Sequence, residues 1–480
     1  MNDILIFSPH LVLTLGILLC FGLGVVFKWP RGLYAITLCV TILAGTMALL
    51  AYPGPPPVNT GLRSMLATGP LSAYFLPLLC ALSTVILLLF GPYLKREGHA
   101  HEDELYALFL SALLGGLLLA GGRSWLAFFL GLELLSLPLY VLIALRKTDA
   151  GGNEASMKYF AMGATASAVL LFGIALIYAG SGTLDIAASL GQPEGAATVL
   201  LGLGMVIAGL AFKLSIAPFH LWAPDVYRGA PAPVAALLTS SVKAAAAAGL
   251  LRIALAMSPP LVMDPPLWPA TVPMLWALAA LTMLAANLAA LVQTSVKRML
   301  GFSSAAHMGY MLMGILCVRE AGPGPVMYYA AALAVMDLGA FGALTLLDSQ
   351  KDVAVDSLDS LHGLGRARPW AAALLAISLA ALAGLPPTAG FTGKLLLFRA
   401  TLVGGYDWLA FIGIAGAAVS VFYYLRALAA LYIEDTQTRY NAERLIVSSG
   451  VAVFLVMVAL IGLGLLPSPV LHAATLLLHP

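Results

Sequence analysis

The chain has 480 residues, 61% of them hydrophobic and only 10% charged, with a mean hydropathy of +0.97. A soluble domain carries about 25% charged residues, so a soluble-enzyme reading has no support and the composition is that of a membrane protein with many crossings. The net charge of +2 gives no footprint for nucleic acid, and Cys20, Cys39, Cys80 and Cys317 stand singly in apolar stretches, so neither zinc nor an iron–sulfur cluster is expected.

In chain order, about fourteen segments reach the roughly 20 apolar residues that a membrane helix needs. The first, 9–27, is preceded by Asp3 and His10 but by no Lys or Arg, and Lys28 and Arg31 follow it where a signal peptide would show a small-residue cleavage site. It reads as a retained span with the N-terminus outside. The others fall near 32–52, 71–94, 104–122, 124–145, 156–179, 199–222, 232–256, 271–293, 299–318, 324–347, 370–402, 407–432 and 447–466. Pro53 to Pro57 and Pro259 to Pro266 are turn signals, and the longest polar connection, Asp348 to Pro369, reads as a loop. No strand is expected and no Gly-rich nucleotide loop follows one. The expected fold is all-α, a polytopic membrane protein of about 14 transmembrane helices.

With the N-terminus outside, the inner loops carry Lys28, Arg31, Lys95, Arg96, Arg146, Lys147, Arg228, Lys297, Arg298, Lys351, Arg366, Arg368, Arg426, Arg439 and Arg444. The outer loops carry only Arg63, Arg123, Arg252, Arg319 and Arg399. An excess of roughly threefold, held loop by loop, marks the cytoplasmic face.

Two spans are interrupted. The seventh holds Lys213 and Pro218 in LAFKLSIAPFHLW (210–222), and the twelfth, too long for one straight crossing, holds GLPPTAG (384–390) followed by Lys394. Proline removes a helix hydrogen bond, and non-helical backbone at membrane depth is tolerated only inside protein or beside a water-filled cavity, so each break is expected to place a cavity beside a lysine. The breaks lie five spans apart, and an odd offset means entry from opposite sides. That pattern suggests two inverted five-helix repeats with discontinuous helices 7 and 12: N-terminal helices 1–3 in 1–103, a first repeat in 104–257, a second in 258–432, and helix 14 in 433–480. Lys158–Tyr159–Phe160 opens the sixth span as Met327–Tyr328–Tyr329 opens the eleventh.

Nine lysines are present; Lys213, Lys243 and Lys394 lie inside spans, Lys158 lies just inside another, and Glu133 sits near the middle of a further one. Each charge at the centre of a membrane helix costs roughly 2.5–3.5 kcal/mol, and the set on the order of 10 kcal/mol. Such residues are the default sign of a path for ions or protons. Glu133 reads as a switchable acid, or as a buried acid neutralised by protonation or a single ion pair. Lys213, at a broken helix, can exchange protons near neutral pH when held in a low dielectric; its bland reading is snorkelling to the interface. Lys243, flanked by Thr239, Ser240 and Ser241 and followed by alanines, is too deep to snorkel easily. Lys394 mirrors Lys213 in the second half, or else reaches the outer surface. Lys158 is as well placed for a surface role as for a functional one. His220 and His307 are proton-relay candidates, although a lone histidine in a helix is more often a packing residue. Asp337 is a weaker candidate, and Tyr310, Tyr423 and Tyr424 either line water or pack.

GLELLSLPLYVL (131–142), EASMKYF (154–160), FKLSIAPFHLWAPDVYRGAPAPV (212–234), QTSVKRMLGFSSAAHMGYMLMG (293–314), GLPPTAGFTGKLLLF (384–398) and SVFYYLR (420–426) together resemble the antiporter-like subunit family of proton-pumping NADH:quinone oxidoreductase, respiratory complex I. PFHLWAPDVYRGAPAPV and YYLR resemble its subunit-N branch; subunit-M-like members usually carry an acid where Lys394 stands, and subunit-L-like members are longer, with a lateral helix. The first hundred residues match no motif. The resemblance implies a pump module without a redox centre in a bacterial plasma (inner) membrane. In the family, the acid matching Glu133 pairs with the lysine matching Lys213, the lysine matching Lys243 is a central relay, and the one matching Lys394 ends a hydrated axis. NADH, FMN, iron–sulfur clusters and the quinone site are implied for partner subunits, with no cofactor or metal on this chain. The implied partners are other membrane subunits of complex I, including homologous antiporter-like ones, and the lipid bilayer. The expected activity is outward proton translocation as a subunit of a translocase. The alternatives are a subunit of a multi-subunit cation/proton antiporter or of another energy-converting redox complex, and a non-pumping scaffold.

Overall fold

The computed structural model describes residues 2–26, 30–51, 64–98, 102–191, 193–258, 267–348, 355–433 and 445–475. Lys28, Arg63, Lys351, Arg439, Arg444 and the turn signals at Pro53 to Pro57 and Pro259 to Pro266 lie outside the described residues.

Long apolar runs bounded by caps become helices. The first three are α1 (Asn2–Val26), α2 (Pro30–Ala51) and α3 (Pro70–Glu97), the last with proline in its first turn and Gly98 in the left-handed region at its end. Then come α4 (Glu102–Gly121), α5 (Trp125–Ile143), α6 (Ala150–Ser181), the short α7 (Ile186–Gly191), α8 (Ala196–Leu214) and α9 (Trp222–Gly229). A single enclosed rod follows: α10 (Ala232–Leu237), a π-helical turn (Leu238–Val242) and α11 (Lys243–Met257). The second half holds α12 (Trp268–Leu291), α13 (Val296–Leu316), the short α14 (Val318–Ala321), α15 (Gly324–Leu347) and α16 (Leu364–Ala367). Last are α17 (Pro369–Ala383), α18 (Ala389–Val403), α19 (Asp407–Tyr432), α20 (Val447–Leu465) and α21 (Ser468–Thr475).

Among the described residues, 13 helices are long and apolar enough to cross a membrane. The twelfth predicted span is the split pair α17 and α18, each half too short to cross alone. Together they make the expected fourteen, and the described residues form isolated bridges but no strand.

Burial sorts the helices. The rod 232–257, α13 and α15 are enclosed by protein along their whole apolar windows, whereas α1, α6 and α20 are mostly uncovered. A helix that is apolar all round belongs in a core or in lipid, so packing decides which. α15 touches α3, α10, α17, α18 and α20 and forms the axle of the bundle.

A local construction occurs twice. Ser124 caps α5 by accepting from the Ala127 amide, and Ser295 caps α13 by accepting from the Arg298 amide. Beside the first cap, Trp125 N donates to Leu184 O and Ile186 N to Arg123 O; beside the second, Val296 N donates to Asp356 O and Leu358 N to Thr294 O.

The most extensive helix pairing, α6 with α8, rests on small residues that let backbones approach. A Cβ on Gly173 would sit 2.5 Å from Gly202 O, and a Cβ on Gly202 would sit 2.5 Å from Gly173 O. This crossing carries Tyr159 on α6 to Lys213 on α8. Gly202→Val is expected to force the pair apart at a cost of about 1–3 kcal/mol, read as a lower thermal-unfolding midpoint in detergent.

Candidate functional site

The buried ammonium groups are solvated by the protein itself. Lys213 closes the last turn of α8, where Ser215 turns left-handed with φ of 58° and Ile216 N donates back to Ala211 O. The break then satisfies its own backbone: Trp222 Nε1 donates to Phe212 O at 2.9 Å, and Ala217 N donates to Thr282 Oγ1 at 3.0 Å. Lys213 Nζ donates to Ser136 Oγ at 2.7 Å and to Tyr159 OH at 2.9 Å and lies 5.3 Å from the Tyr159 ring centroid. A narrow pocket of about 10 Å³, lined by Ser136, Tyr140, Gly163, Gly209 and Lys213, adjoins it; this is at the lower limit of what one water occupies and smaller than the cavity expected at this break.

Glu133 is half-buried on α5 and its Oε1 has no hydrogen-bond partner. It stands one turn from Ser136, on the same helix face, but it makes no ion pair with Lys213 within 4.0 Å. The direct Glu133–Lys213 contact implied by the family resemblance is therefore not formed here, because the Ser136 and Tyr159 hydroxyls already take the ammonium.

Lys243 follows the π-helical turn, a feature common at functional positions. Its Nζ donates to Ser304 Oγ on α13 at 2.7 Å, and Ser304 donates in turn to Asp337 Oδ2 on α15 at 2.8 Å. The Tyr227 ring lies 5.6 Å below the ammonium. Thr239 and Ser240 bond to carbonyls of their own helix, not to the lysine.

Lys394 is also buried and does not reach the surface. Its Nζ donates to Leu382 O at 2.8 Å and Ala383 O at 3.2 Å, the exposed last carbonyls of α17, where a cation is favoured by the helix dipole. Gly384 turns the chain there at φ of 85°. The expected mirror relation needs correction: Lys213 lies before its break, Lys394 lies after its own, and the latter fills the break with its ammonium.

His307 on α13 is held between two hydroxyls, Nδ1 to Tyr329 OH at 2.6 Å and Nε2 to Tyr424 OH at 3.0 Å, and Tyr424 OH also bonds Ser303. Tyr423 OH donates to Asn287 Oδ1 at 3.0 Å, Asn287 Nδ2 donates to Tyr310 OH at 3.3 Å, and the Tyr310 ring lies 5.5 Å from Lys394 Nζ. Edge and face contacts link Tyr159 to Trp222 and Trp222 to Tyr227, so polar and aromatic groups run from Lys213 past Lys243 toward Lys394. Tyr159, Tyr227, Ser136, Ser304 and Asn287 escaped the sequence reading, since hydroxyls and amides in apolar spans carry no signal until a partner is known.

The remaining candidates stand apart. Lys158 is exposed, pairs with Glu154 at 2.7 Å and Asp225 at 3.2 Å, and lines an open cleft with Arg146, Arg228, Arg298 and Asp356. Arg298 also pairs with Asp225, and Arg228 with Asp356 at 2.8 Å. His220 packs edge-on to Phe302 and has an unpartnered Nδ1. Among the described residues no group of three or more His, Cys, Asp or Glu is placed to hold a metal.

Interrupted helices enclosing lysines, in a bundle that crosses the bilayer many times, define a polytopic membrane protein of the antiporter-like class. Residues 122–420 match the family described as NADH:quinone oxidoreductase/Mrp antiporter, TM. The chain is 46% identical to NADH-quinone oxidoreductase subunit N 1 of Solidesulfovibrio magneticus, covering 97% of each chain. It is 37% identical to NADH-quinone oxidoreductase subunit N of Geobacter metallireducens, covering 98% of each. Its fold matches a chain of respiratory complex I from Thermus thermophilus with a TM-score of 0.81 and 34% identity, over 97% of this chain and 98% of that one. The chain belongs to the NADH:quinone oxidoreductase/Mrp antiporter transmembrane family.

Lys394→Met keeps the stem and removes the cap from α17. The expected result is faster backbone hydrogen exchange across 380–390, corresponding to a loss of about 1–2 kcal/mol of local stability, with exchange at the α8 break unchanged.

Proposed function

We propose that this chain is a proton-translocating membrane subunit of a NADH:quinone oxidoreductase, moving protons outward while partner subunits pass electrons from NADH to quinone. The observation that carries the reading is the buried series Lys213, Lys243 and Lys394, each ammonium held by hydroxyl or carbonyl oxygens and one tyrosine ring. The relatives that bear the subunit-N name match over nearly the whole chain, which supports placing it beside homologous antiporter-like subunits. NADH, flavin, iron–sulfur clusters and quinone then belong to partner subunits.

In this reading Glu133 and Lys213 form a switch. The arrangement seen, with Glu133 Oε1 unpartnered and Lys213 on Ser136 and Tyr159, is its open form. Electron transfer in the partners drives closure and reopening, and each reopening sends a proton to Lys243, through His307 and its tyrosines, and on to Lys394. Moving one charge against 100 mV costs about 2.3 kcal/mol, roughly what a swing of two pKa units supplies. His220 and Lys158 are assigned to the entry side, where Lys158 lies in the charged cleft.

The twofold cap-and-bridge construction supports two repeats, 104–257 and 258–432, between helices 1–3 (1–103) and helix 14 (433–480). The positive inner loops support a bacterial plasma-membrane location with the N-terminus outside.

Lys213→Ala and Glu133→Ala, each in the assembled complex in sealed vesicles, are expected to suppress quinone-coupled proton pumping by at least about tenfold. Undiminished pumping in both would reject the proposal. Isolation of the chain with partners that hold no redox centre, together with cation-driven proton flux, would assign it to an antiporter instead.

A further inference from the structure

Asp337 has no part in the path just described, yet it is the acid nearest the central lysine. It is fully enclosed on α15, itself enclosed along its whole apolar window. A carboxylate so placed is tolerated only when paired or protonated. Its Oδ2 accepts from Ser304 Oγ at 2.8 Å, and that same oxygen accepts from Lys243 Nζ at 2.7 Å. Ser304 has a single O–H, and the ammonium has only donors, so the direction is fixed: lysine to serine, serine to aspartate. Lys243 and Asp337 make no direct ion pair within 4.0 Å; the hydroxyl is their link.

The other carboxylate oxygen, Oδ1, is buried with no partner. Asp337 lies within electrostatic reach of Tyr227, Tyr329 and Tyr424. Tyr227 lies under Lys243, and Tyr329 and Tyr424 hold the two nitrogens of His307. Ser304 stands one turn from His307 on α13, so one helix face joins the two networks.

We infer that Asp337 is a proton-carrying residue, and that Lys243, Ser304 and Asp337 act as one unit handing protons from the first half of the bundle to the His307 network of the second. This inference rests on the proton-translocating reading above. In the step, an N–H bond of Lys243 breaks as an O–H bond forms at Ser304 Oγ, while the original Ser304 O–H breaks and one forms at Asp337 Oδ2. One proton moves from the ammonium to the carboxylate, no electrons change hands, and two opposite charges linked by the hydroxyl become a neutral amine and a neutral carboxyl. Net charge is unchanged, so the step avoids leaving one isolated charge in a low-dielectric interior. The Asp337 carboxyl then releases its proton toward His307 and recovers its charge when Lys243 is reprotonated from the Lys213 side.

The test uses the assembled complex in sealed vesicles, with proton pumping and NADH oxidation measured together. Ser304→Ala keeps both charges and severs the link; it and Asp337→Asn are expected to lower pumping by at least about tenfold, whereas Ser304→Thr, which keeps a hydroxyl, recovers a large part of the pumping that Ser304→Ala loses. A redox-difference infrared spectrum should show a protonated-carboxyl band that Asp337→Asn removes, a signature that mere packing would not give. Pumping at the unsubstituted rate in Ser304→Ala overturns the inference, and if Asp337→Asn does not assemble, Ser304→Ala alone decides. Loss of pumping in Lys213→Ala and Glu133→Ala beside undiminished pumping in Ser304→Ala defeats the inference and leaves the reading intact. Normal pumping in Lys213→Ala and Glu133→Ala defeats both.

Discussion

An ammonium group in an apolar interior has to be solvated by the protein, and that requirement organises this molecule. Lys213, Lys243 and Lys394 meet it with the same kit: one or two oxygen acceptors within 2.7–3.2 Å and a tyrosine ring 5.3–5.6 Å away. A desolvated cation over an aromatic face gains about 2 kcal/mol, and a hydrogen bond to a charged group about 1.5–3 kcal/mol. These gains are of the size needed to offset the insertion cost of each lysine. The acceptors come from neighbouring helices or from the opposite half of a broken one, so the cations also fix how the helices meet.

The two breaks solve one problem by different means. A broken helix exposes carbonyls at the end of its first half and N–H groups at the start of its second, and lipid can satisfy neither. At the α8 end, the Trp222 indole takes the Phe212 carbonyl and leaves Lys213 free to bond the Ser136 and Tyr159 hydroxyls. At the α17 end, Lys394 itself takes the carbonyls of Leu382 and Ala383. The first lysine is thus held by side chains that can rotate, and the second by backbone that cannot. That difference suits a switch at one end of a proposed path and a fixed terminus at the other.

Much of the fold was legible because hydropathy at membrane length is a local signal: each predicted span overlaps a helix, and both interruptions coincide with breaks announced by Pro218 and by GLPPTAG. Buried charge was legible for the same reason, since a lysine in an apolar run stands out wherever it packs. Its partners were not. Ser304 lies 61 residues along the chain from Lys243, and Asp337 a further 33 from Ser304, and a serine or a lone acid in a span says nothing about which helix it will face. The Glu133–Lys213 pairing, implied by the family resemblance, is not a direct contact in this conformation, where Ser136 and Tyr159 reach the ammonium. Lys158, close to a span end, resolves as an exposed ion-pair residue in a charged cleft.

The amino-acid sequence by itself determined the solvent of this protein, the number of crossings, the two breaks and the identity of the buried cations, because each follows from the cost of placing polar groups in hydrocarbon, residue by residue. Only the tertiary structure decided which helices are enclosed, which acceptor each ammonium finds, and that Asp337 faces Lys243 through one hydroxyl. Those outcomes depend on helix rotation and crossing, set by close approaches such as Gly173 on Gly202, and no local pattern along the chain encodes them.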